Sequence, residues 1–342
     1  MQQTIRDLVD ISSYAGSRAD YTQGGGGNTS VKNDKENVML IKASGYRLKD
    51  ITPNSAFVAV NKKKIYDYYN SVDLSVKKDY EKESAEISKS SVIALSGMPT
   101  LRPSVEVGFH AILKKYVIHT HSVYANVLAC SEEGERLAEK LFKDKDYGFI
   151  FLPYINPGFE LTLAMKNAID DYIAKTGKDP EVIFMKNHGL VVCSDYIDRV
   201  KAVNTDVNET IRLYFGLADD FHEVILREDK GGYVSETKVV CDFVAENKLD
   251  KNYLDKYPLY PDQLVYLNNV LAFSPDTLVI KDGKVRYNCD IKQATTLEET
   301  LAAYLFVISV IKENGLKVSV MNEKEVGFIN NWEAEKYRRS VK

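Results

Sequence analysis

A histidine-x-histidine pair in a strand-like run constrains the fold of this chain more than any other feature. His119 and His121 end the run 116–121, whose β-branched and aromatic residues favour a strand. Side chains two residues apart on a strand point to the same face of a sheet, so both imidazoles can reach one ion. The run therefore predicts a strand that carries two metal-ligand side chains on one face.

Two further residues extend the pair into a candidate catalytic centre. His188 interrupts the strand-like run 185–192, and Glu106 lies thirteen residues ahead of His119. Three neutral imidazoles with an open fourth position commonly hold a catalytic zinc, and a nearby carboxylate suits a general acid or base. We therefore expect His119, His121 and His188 to hold one ion, with Glu106 as the adjacent carboxylate.

The residues around Glu106 indicate a helix. Pro103 suits the first turn of a helix, which would place Ser104 and Glu106 in that turn. Glu106 and His110 would then share a helix face. For His110 we favour packing or support of the site over ligation, because three other histidines already supply the ligands. His222 has no partner nearby in sequence and is interpreted as a surface or core histidine.

Two glycine-containing turns offer backbone amides to an anion. Gly24 to Gly27 precede Asn28, Thr29 and Ser30, and four glycines can leave N–H groups free to converge on a phosphate. A flexible turn between a helix and a strand explains these glycines equally well, so both interpretations stay open. The second turn, Ser44-Gly45, lies between predicted strands at 38–42 and 56–60.

Composition limits the class of protein. At 342 residues the chain can hold two domains, since domains usually contain about 100–200 residues. A net charge of −4 gives no reason to expect nucleic acid or an anionic membrane as a partner. Without an N-terminal apolar segment or an uninterrupted apolar run of about 18 residues, we expect a cytoplasmic protein. Its four cysteines are far apart and form no C-x-x-C, which argues against thiolate metal sites.

Element order predicts an α/β protein in two parts. Strands and helices interleave up to a charged stretch near 227–232, so we predict a catalytic domain at 1–228 and a smaller α/β extension at 229–342. Antiparallel pairing is expected across the short His188-Gly189 turn. In the extension, Asp282-Gly283 predicts a hairpin over 278–287. A helix is predicted over 295–314, with Thr295 or Thr296 as its N-cap and Glu298 or Glu299 closing a capping box. The extension carries no cluster of metal-ligand residues.

Five blocks of the chain resemble one known family. GGGGNTSVK, IKASGYRL, RPSVEVGFHAILKKYVIHTHS, LPYINPGFELTLAM and KNHGLVV occur in the order and approximate spacing of the class II aldolase/adducin family. The chain is most similar to the aldolase portion of bifunctional rhamnulose-1-phosphate aldolase/dehydrogenase proteins. PDQLVYL and FINNWEAEKYR also resemble the segment that follows the aldolase domain there. No G-x-G-x-x-G follows a strand, so no nicotinamide chemistry is predicted.

The resemblance implies a three-layer fold, with a central mixed or antiparallel sheet between helices, and a role for each candidate residue. Zinc or another divalent metal would be held by His119, His121 and His188, with Glu106 as the catalytic acid/base. The phosphorylated substrate would be contacted by Asn28, Ser44, Gly45 and Ser104. The resemblance further implies a homotetramer with sites at subunit interfaces.

Two departures from the family pattern concern the substrate site. Some family members carry Ser-Ser-Glu where this chain has Ser104-Val105-Glu106, so one hydroxyl donor is missing. Glu160 lies near, but not clearly at, the position of a second acid in some aldolases, and its role stays open.

The function expected from the resemblance is cleavage of a ketose 1-phosphate, similar to rhamnulose 1-phosphate, to dihydroxyacetone phosphate and an aldehyde. This zinc-dependent reaction would pass through an enediolate. A sugar-phosphate 4-epimerase or a dehydratase with the same metal site is an alternative, although Glu106 favours the aldolase. A non-catalytic, adducin-like binding module is a third possibility, and retention of all three histidines argues against it.

Overall fold

The computed structural model describes residues 1–219, 221 and 223–331. His222 and the terminal part of FINNWEAEKYR lie outside the described residues. The α-helices of the described chain are α1 (Gln2–Gly16), α2 (Lys62–Ser71), α3 (Tyr80–Ser90), α4 (Val107–Ile112), α5 (Val123–Ala129), α6 (Gly134–Phe142), α7 (Phe159–Thr176), α8 (Ile197–Tyr214), α9 (Lys238–Glu246), α10 (Lys251–Lys256), α11 (Asn269–Phe273), α12 (Ile291–Glu313) and α13 (Glu323–Asn331). The strands are β1 (Asn28–Asn33), β2 (Val38–Lys42), β3 (Phe57–Asn61), β4 (Val92–Ile93), β5 (Tyr116–Thr120), β6 (Gly148–Leu152), β7 (Pro180–Met185), β8 (Gly189–Ser194), β9 (Leu226–Asp229), β10 (Gly232–Ser235), β11 (Leu278–Lys281) and β12 (Lys284–Tyr287).

An eight-stranded mixed sheet forms the centre of the first part of the chain, in the order β4-β3-β2-β1-β5-β8-β7-β6. Strands β6 and β7 pair in parallel, and the neighbouring pairs from β4 to β7 are antiparallel. The antiparallel pairing predicted across the His188-Gly189 turn is thus confirmed by β7 and β8. In the register, Asn28 of β1 and Val191 of β8 lie on either side of His119.

Helices cover both faces of this sheet, as the alternation along β5 shows. Ile118 belongs to the large core that includes Leu8 of α1 and Val203 of α8. Val117 points the other way, into a core with Phe109 of α4 and Met165 of α7. The sheet therefore lies between two helical layers, which confirms the predicted three-layer α/β architecture. By the same alternation His119 faces the α4 side.

The C-terminal part carries a second sheet, in the order β11-β12-β10-β9. The predicted hairpin is formed by β11 and β12, and Asp282 and Gly283 at its turn have φ values of 52° and 69°. Helix α12 packs on α5, where the rings of Tyr124 and Phe306 lie 5.8 Å apart. Since one buried cluster continues from α5 into α12, the two parts share a core. A boundary between residues 228 and 229 stays a prediction.

Among the described residues, α12 is the one helix whose length and apolar composition would suit a membrane span. In this fold, 78% of its most apolar 18-residue window is buried. Its apolar surface is therefore used by the core shared with α5.

Two predicted helix starts are wrong. The segment around Pro103 is extended rather than helical, because Ser104 N–H donates to the carbonyl of Lys42 at 3.2 Å and Pro103 forms a β-bridge with Ala43. Helix α4 therefore begins at Val107, with Glu106 as its N-cap.

Helix α12 starts four residues earlier than predicted. Its N-cap is Asp290, whose carboxylate accepts from Gln293 N–H at 2.9 Å. Thr295 lies inside the helix and donates to the carbonyl of Ile291 at 2.7 Å. Glu298 and Glu299 are buried and bond to other parts of the chain, so the apparent capping box does not form.

Candidate active site

Three imidazoles meet at the ends of two neighbouring strands. His119 lies in β5, His121 directly follows β5, and His188 lies in the turn between β7 and β8. One ring nitrogen from each lies within 4.8 Å of the others, and all three side chains are buried. A Cβ at Gly189 would lie 2.5 Å from the carbonyl oxygen of Thr120, so the absence of a side chain there lets the His188 turn pack directly on β5.

Hydrogen bonds fix the tautomers of two of these rings. His119 Nδ1 donates to the carbonyl of Leu190 at 2.9 Å, and His121 Nδ1 donates to Asp262 Oδ2 at 2.5 Å. A neutral imidazole protonated on Nδ1 has a lone pair on Nε2. The two Nε2 atoms lie 3.1 Å apart. Two lone pairs at this distance repel each other unless a cation lies against both, so the arrangement suits a bound metal ion.

The charge states of the cluster also suit a metal. Burial lowers the pKa of His119 to about 3, so the ring is neutral near neutral pH, which is the form that binds metals. Burial alone would raise the pKa of Glu106. The surrounding histidines and a hydrogen bond from His188 outweigh burial and lower the pKa of Glu106 below its ordinary value. The site therefore places the neutral ring of His119 beside a carboxylate that favours its ionised form.

Glu106 lies against the nitrogens that face the cluster centre. Its Oε1 lies 3.1 Å from His188 Nε2, and its Oε2 lies 3.5 Å from His119 Nε2. The amide of Asn28 donates to the same Oε2, as the register of β1 against β5 allows. At this position the carboxylate can serve as a fourth ligand or carry a proton to a bound molecule.

His110 lies outside the group of three. On α4, its Nδ1 lies 2.8 Å from the Ser30 hydroxyl, and burial lowers its pKa well below the ordinary value. Its Nε2 is buried without a hydrogen-bond partner among the described residues. This position agrees with the expectation that His110 packs beside the cluster and is not a metal ligand.

One cavity collects nearly all the residues singled out from the sequence. Its lining includes seven of the eight predicted site residues: Asn28, Ser44, Gly45, Ser104, Glu106, His121 and His188. His119 lies behind this surface and is fully buried. Val105, which stands where some relatives have serine, also lines the cavity. Glu160 does not line it; its exposed carboxylate lies 3.4 Å from the amide nitrogen of Asn156.

Lys42 joins the two glycine-containing turns, and sequence reasoning missed it. Its ammonium donates to the carbonyls of Gly25 and Tyr46, at 2.8 and 2.7 Å. The side chain lines the cavity while only 2% of the residue is exposed. A buried positive charge at this wall favours an anionic ligand. Its place in the IKASG block, two residues before Ser44, was the available signal.

The glycine-rich loop offers fewer free amides than its sequence indicates. Gly24 N–H donates to the carboxylate of Glu299 at 2.8 Å, and Gly26 N–H donates to the carbonyl of Gln23 at 2.9 Å. Gly27 and Gly45 both line the cavity with positive φ, of 69° and 85°. Gly25 also lines the cavity, so Gly25, Gly27 and Gly45, rather than all four glycines of the first loop, mark where backbone could meet an anion.

Asp262 and Glu299 reach the site from the C-terminal part, and sequence reasoning missed both. Asp262 bonds to His121, and Glu299 pairs with Arg47 as well as with Gly24 N–H. Neither residue belongs to a local metal or phosphate motif. The only signal for Asp262 was its place in PDQLVYL, a block that resembles other chains.

One known family matches the first part of this chain. The family described as Class II Aldolase and Adducin N-terminal domain matches residues 6–215. Among solved structures, the N-terminal class II aldolase domain of a conserved protein from Thermoplasma acidophilum is 23% identical, with a TM-score of 0.50. The match covers 61% of this chain and 92% of that domain, and it supports the fold.

A longer relative is known from Bacillus subtilis (strain 168). The protein named "Uncharacterized oxidoreductase YuxG" is 25% identical over an alignment of 285 residues, and the match covers 78% of this chain. The match spans only 38% of the length of YuxG.

Proposed function

The chain belongs to the class II aldolase and adducin family, and on this premise we propose that it is a metal-dependent lyase. The proposed reaction cleaves a ketose 1-phosphate, similar to rhamnulose 1-phosphate, to dihydroxyacetone phosphate and an aldehyde. One observation carries the proposal: the Glu106 carboxylate lies 3.1 Å from His188 Nε2, inside a buried group of three histidines and beside an anion-favouring wall.

We propose Zn²⁺ as the metal, held by His119, His121 and His188. Three buried imidazoles beside a carboxylate form a donor set that zinc prefers. The bound ion would supply positive charge to stabilise the enediolate that forms when the C3–C4 bond of the substrate breaks. The hydrogen bonds to Leu190 and Asp262 hold the rings of His119 and His121 in the tautomer that this role needs.

Glu106 is proposed as the acid/base at C3. In cleavage, the C4 hydroxyl gives its proton to the ionised Glu106 carboxylate, the C3–C4 electron pair passes to the enediolate, and Glu106 then delivers that proton to C3. In condensation the carboxylate removes that proton. The amide of Asn28 holds Oε2 of Glu106, which orients the carboxylate toward a substrate in the cavity. Nothing in the cavity lining supports Glu160 as the base for the C4 hydroxyl.

The phosphate group is proposed to bind beside Ser44, Gly45 and Ser104, which line the same cavity as Glu106. Lys42 supplies the nearby positive charge. The resemblance also implies that Asn28 contacts the phosphorylated substrate, and because its amide nitrogen donates to Glu106, we propose that this contact lies next to the reacting carbon. Anchoring the phosphate would hold C3 close to Glu106.

Family resemblance and composition support a proposal for the assembly and location of the protein. We propose a cytoplasmic homotetramer whose partner is a small phosphorylated sugar. The side chains that select the aldehyde half of the substrate would come partly from a neighbouring subunit.

The direct test is an assay of dihydroxyacetone phosphate release from a panel of ketose 1-phosphates, with protein loaded with Zn²⁺ or stripped of metal. We expect release by the loaded protein and none by the stripped protein. Epimerised or dehydrated sugar phosphates without cleavage would favour the alternative reactions of the same metal site. A protein that binds neither metal nor any sugar phosphate would favour the adducin-like binding module.

A further inference from the structure

We propose that Asp262 is a positioning residue for the metal ligand His121, so that the C-terminal part of the chain completes the metal site. The inference rests on the proposed metal-dependent function, because it assigns Asp262 a role toward the ion that His121 would hold. Asp262 lies 141 residues beyond His121 in sequence and outside the region matched by the family.

The contact between the two side chains is short and buried. Asp262 Oδ2 accepts from His121 Nδ1 at 2.5 Å, and Asp262 is only 2% exposed. A carboxylate on Nδ1 keeps the proton there and leaves the lone pair on Nε2, which faces His119. It also makes the imidazole a stronger ligand. In a buried site, the negative charges of Asp262 and Glu106 together balance the two positive charges of a divalent ion.

The segment that carries Asp262 is itself held rigidly. The next residue, Gln263, is fully buried; its amide oxygen accepts from Leu259 N–H at 2.7 Å, and its amide nitrogen donates to the Leu254 carbonyl at 3.1 Å. Asn187, adjacent to His188, donates to the carbonyls of Leu259 and Ser319 at 2.8 and 3.0 Å. The C-terminal part is therefore tied to both His121 and the turn that carries His188.

The glycine-rich loop closes over this contact. A Cβ at Gly26 would lie 2.3 Å from Asp262 Oδ2 and 2.7 Å from His121 Nδ1. Only a residue without a side chain leaves the hydrogen bond intact. This contact explains why position 26 is a glycine without any role in phosphate binding. It also provides a second way to disturb Asp262 without substituting it.

Loss of such a partner usually weakens metal binding by roughly 10- to 100-fold. The experiment compares the full-length protein with its Asp262→Asn, Asp262→Ala and Gly26→Ala variants. The matched control is Asp242→Asn, which removes an exposed carboxylate of α9 that pairs with Lys238. The Zn²⁺ dissociation constant is measured by competition with a chromophoric chelator, and the visible spectrum of Co²⁺-loaded protein reports ligand geometry. Thermal unfolding of the metal-free proteins shows whether each variant is folded.

We expect Asp262→Ala and Gly26→Ala to bind Zn²⁺ roughly 10- to 100-fold more weakly, with an altered Co²⁺ spectrum. Asp262→Asn should fall between them and the wild type, because its amide oxygen can still accept from Nδ1. Asp242→Asn should match the wild type. If Asp262→Ala does not fold, Asp262→Asn and Gly26→Ala decide the question. Folded variants with wild-type affinity and spectrum would overturn the inference.

These outcomes separate the inference from the proposed reaction. Wild-type cleavage of a ketose 1-phosphate, together with unchanged metal binding in the Asp262 variants, would overturn the inference alone. Weakened metal binding in the variants, with no cleavage by the wild type, would support the inference and contradict the reaction.

Discussion

His119 Nε2 and His121 Nε2 face each other at 3.1 Å, while Nδ1 of each ring donates to an acceptor on the opposite side. The two rings are T-shaped to each other, and His188 closes the group. Because neutral rings in these tautomers present two lone pairs to each other, the cluster is less stable without a cation than with one.

Removal of one histidine ligand should abolish the stabilisation of the fold by bound metal. We expect His121→Ala to lose bound metal and turnover, whereas the wild type gains about 2.7 kcal/mol of unfolding free energy when free metal is 100-fold above its dissociation constant. Metal analysis and thermal unfolding with and without Zn²⁺ measure both effects. His110→Gln is the matched histidine variant and should retain metal. Equal metal loss in both variants would contradict the assignment of ligands.

Substitution of Ser44 should weaken substrate binding more than chemistry. A hydrogen bond to a charged group contributes about 1.5–3 kcal/mol, so Ser44→Ala should raise KM for a phosphorylated substrate roughly 10- to 100-fold, with a smaller change in kcat. The control is Ser55→Ala, in the same connection between β2 and β3. It removes a hydroxyl that bonds to Thr52 outside the cavity. An unchanged KM in Ser44→Ala would place the phosphate elsewhere.

Glu298 should make the stability of the C-terminal part depend on pH. Its carboxyl group is buried between α12 and the second sheet, where it contacts Ser235 Oγ at 2.5 Å and the Tyr287 hydroxyl. Burial raises the pKa of Glu298 above its ordinary value of 4.5, so the fold favours the protonated form. Its contribution to stability is then fully present below that ordinary value and is lost as pH rises through the raised pKa.

The measurement is the difference in Tm between the wild type and Glu298→Gln, followed from about pH 4 to about pH 8. The wild type should lose stability relative to Glu298→Gln as pH rises. Glu313→Gln, at the exposed end of α12, is the control and should show a constant difference. A Tm of the wild type that increases relative to the Tm of Glu298→Gln as pH rises would contradict the prediction.

Local patterns were sufficient to predict parts of the site that lie within one element. His119 and His121 share a face because strand side chains alternate, and the His188 turn joins two antiparallel strands, as its short length indicates. The central sheet and its two helical layers follow from interleaved strands and helices together with family resemblance.

Other features depend on contacts that no local pattern contains. The spacing of Thr295 and Glu298 fits a capping box, but Glu298 bonds to Ser235 and Tyr287 in a different element. Pro103 fits the first turn of a helix, yet pairing with Ala43 keeps it extended. Asp262 reaches His121 across 141 residues, so its place in the site emerges only when the C-terminal part packs on the sheet.

The central claim is that Glu106 moves a proton at the carbon that becomes C3 of the sugar. Metal-loaded protein incubated with dihydroxyacetone phosphate in D₂O tests it most directly, because hydrogen exchange at the hydroxymethyl carbon needs no aldehyde substrate and is followed by NMR. We predict exchange by the wild type and a rate lower by roughly 10²- to 10⁴-fold in Glu106→Gln with its metal retained. Exchange at the wild-type rate in Glu106→Gln, or none in the metal-loaded wild type, would contradict the account.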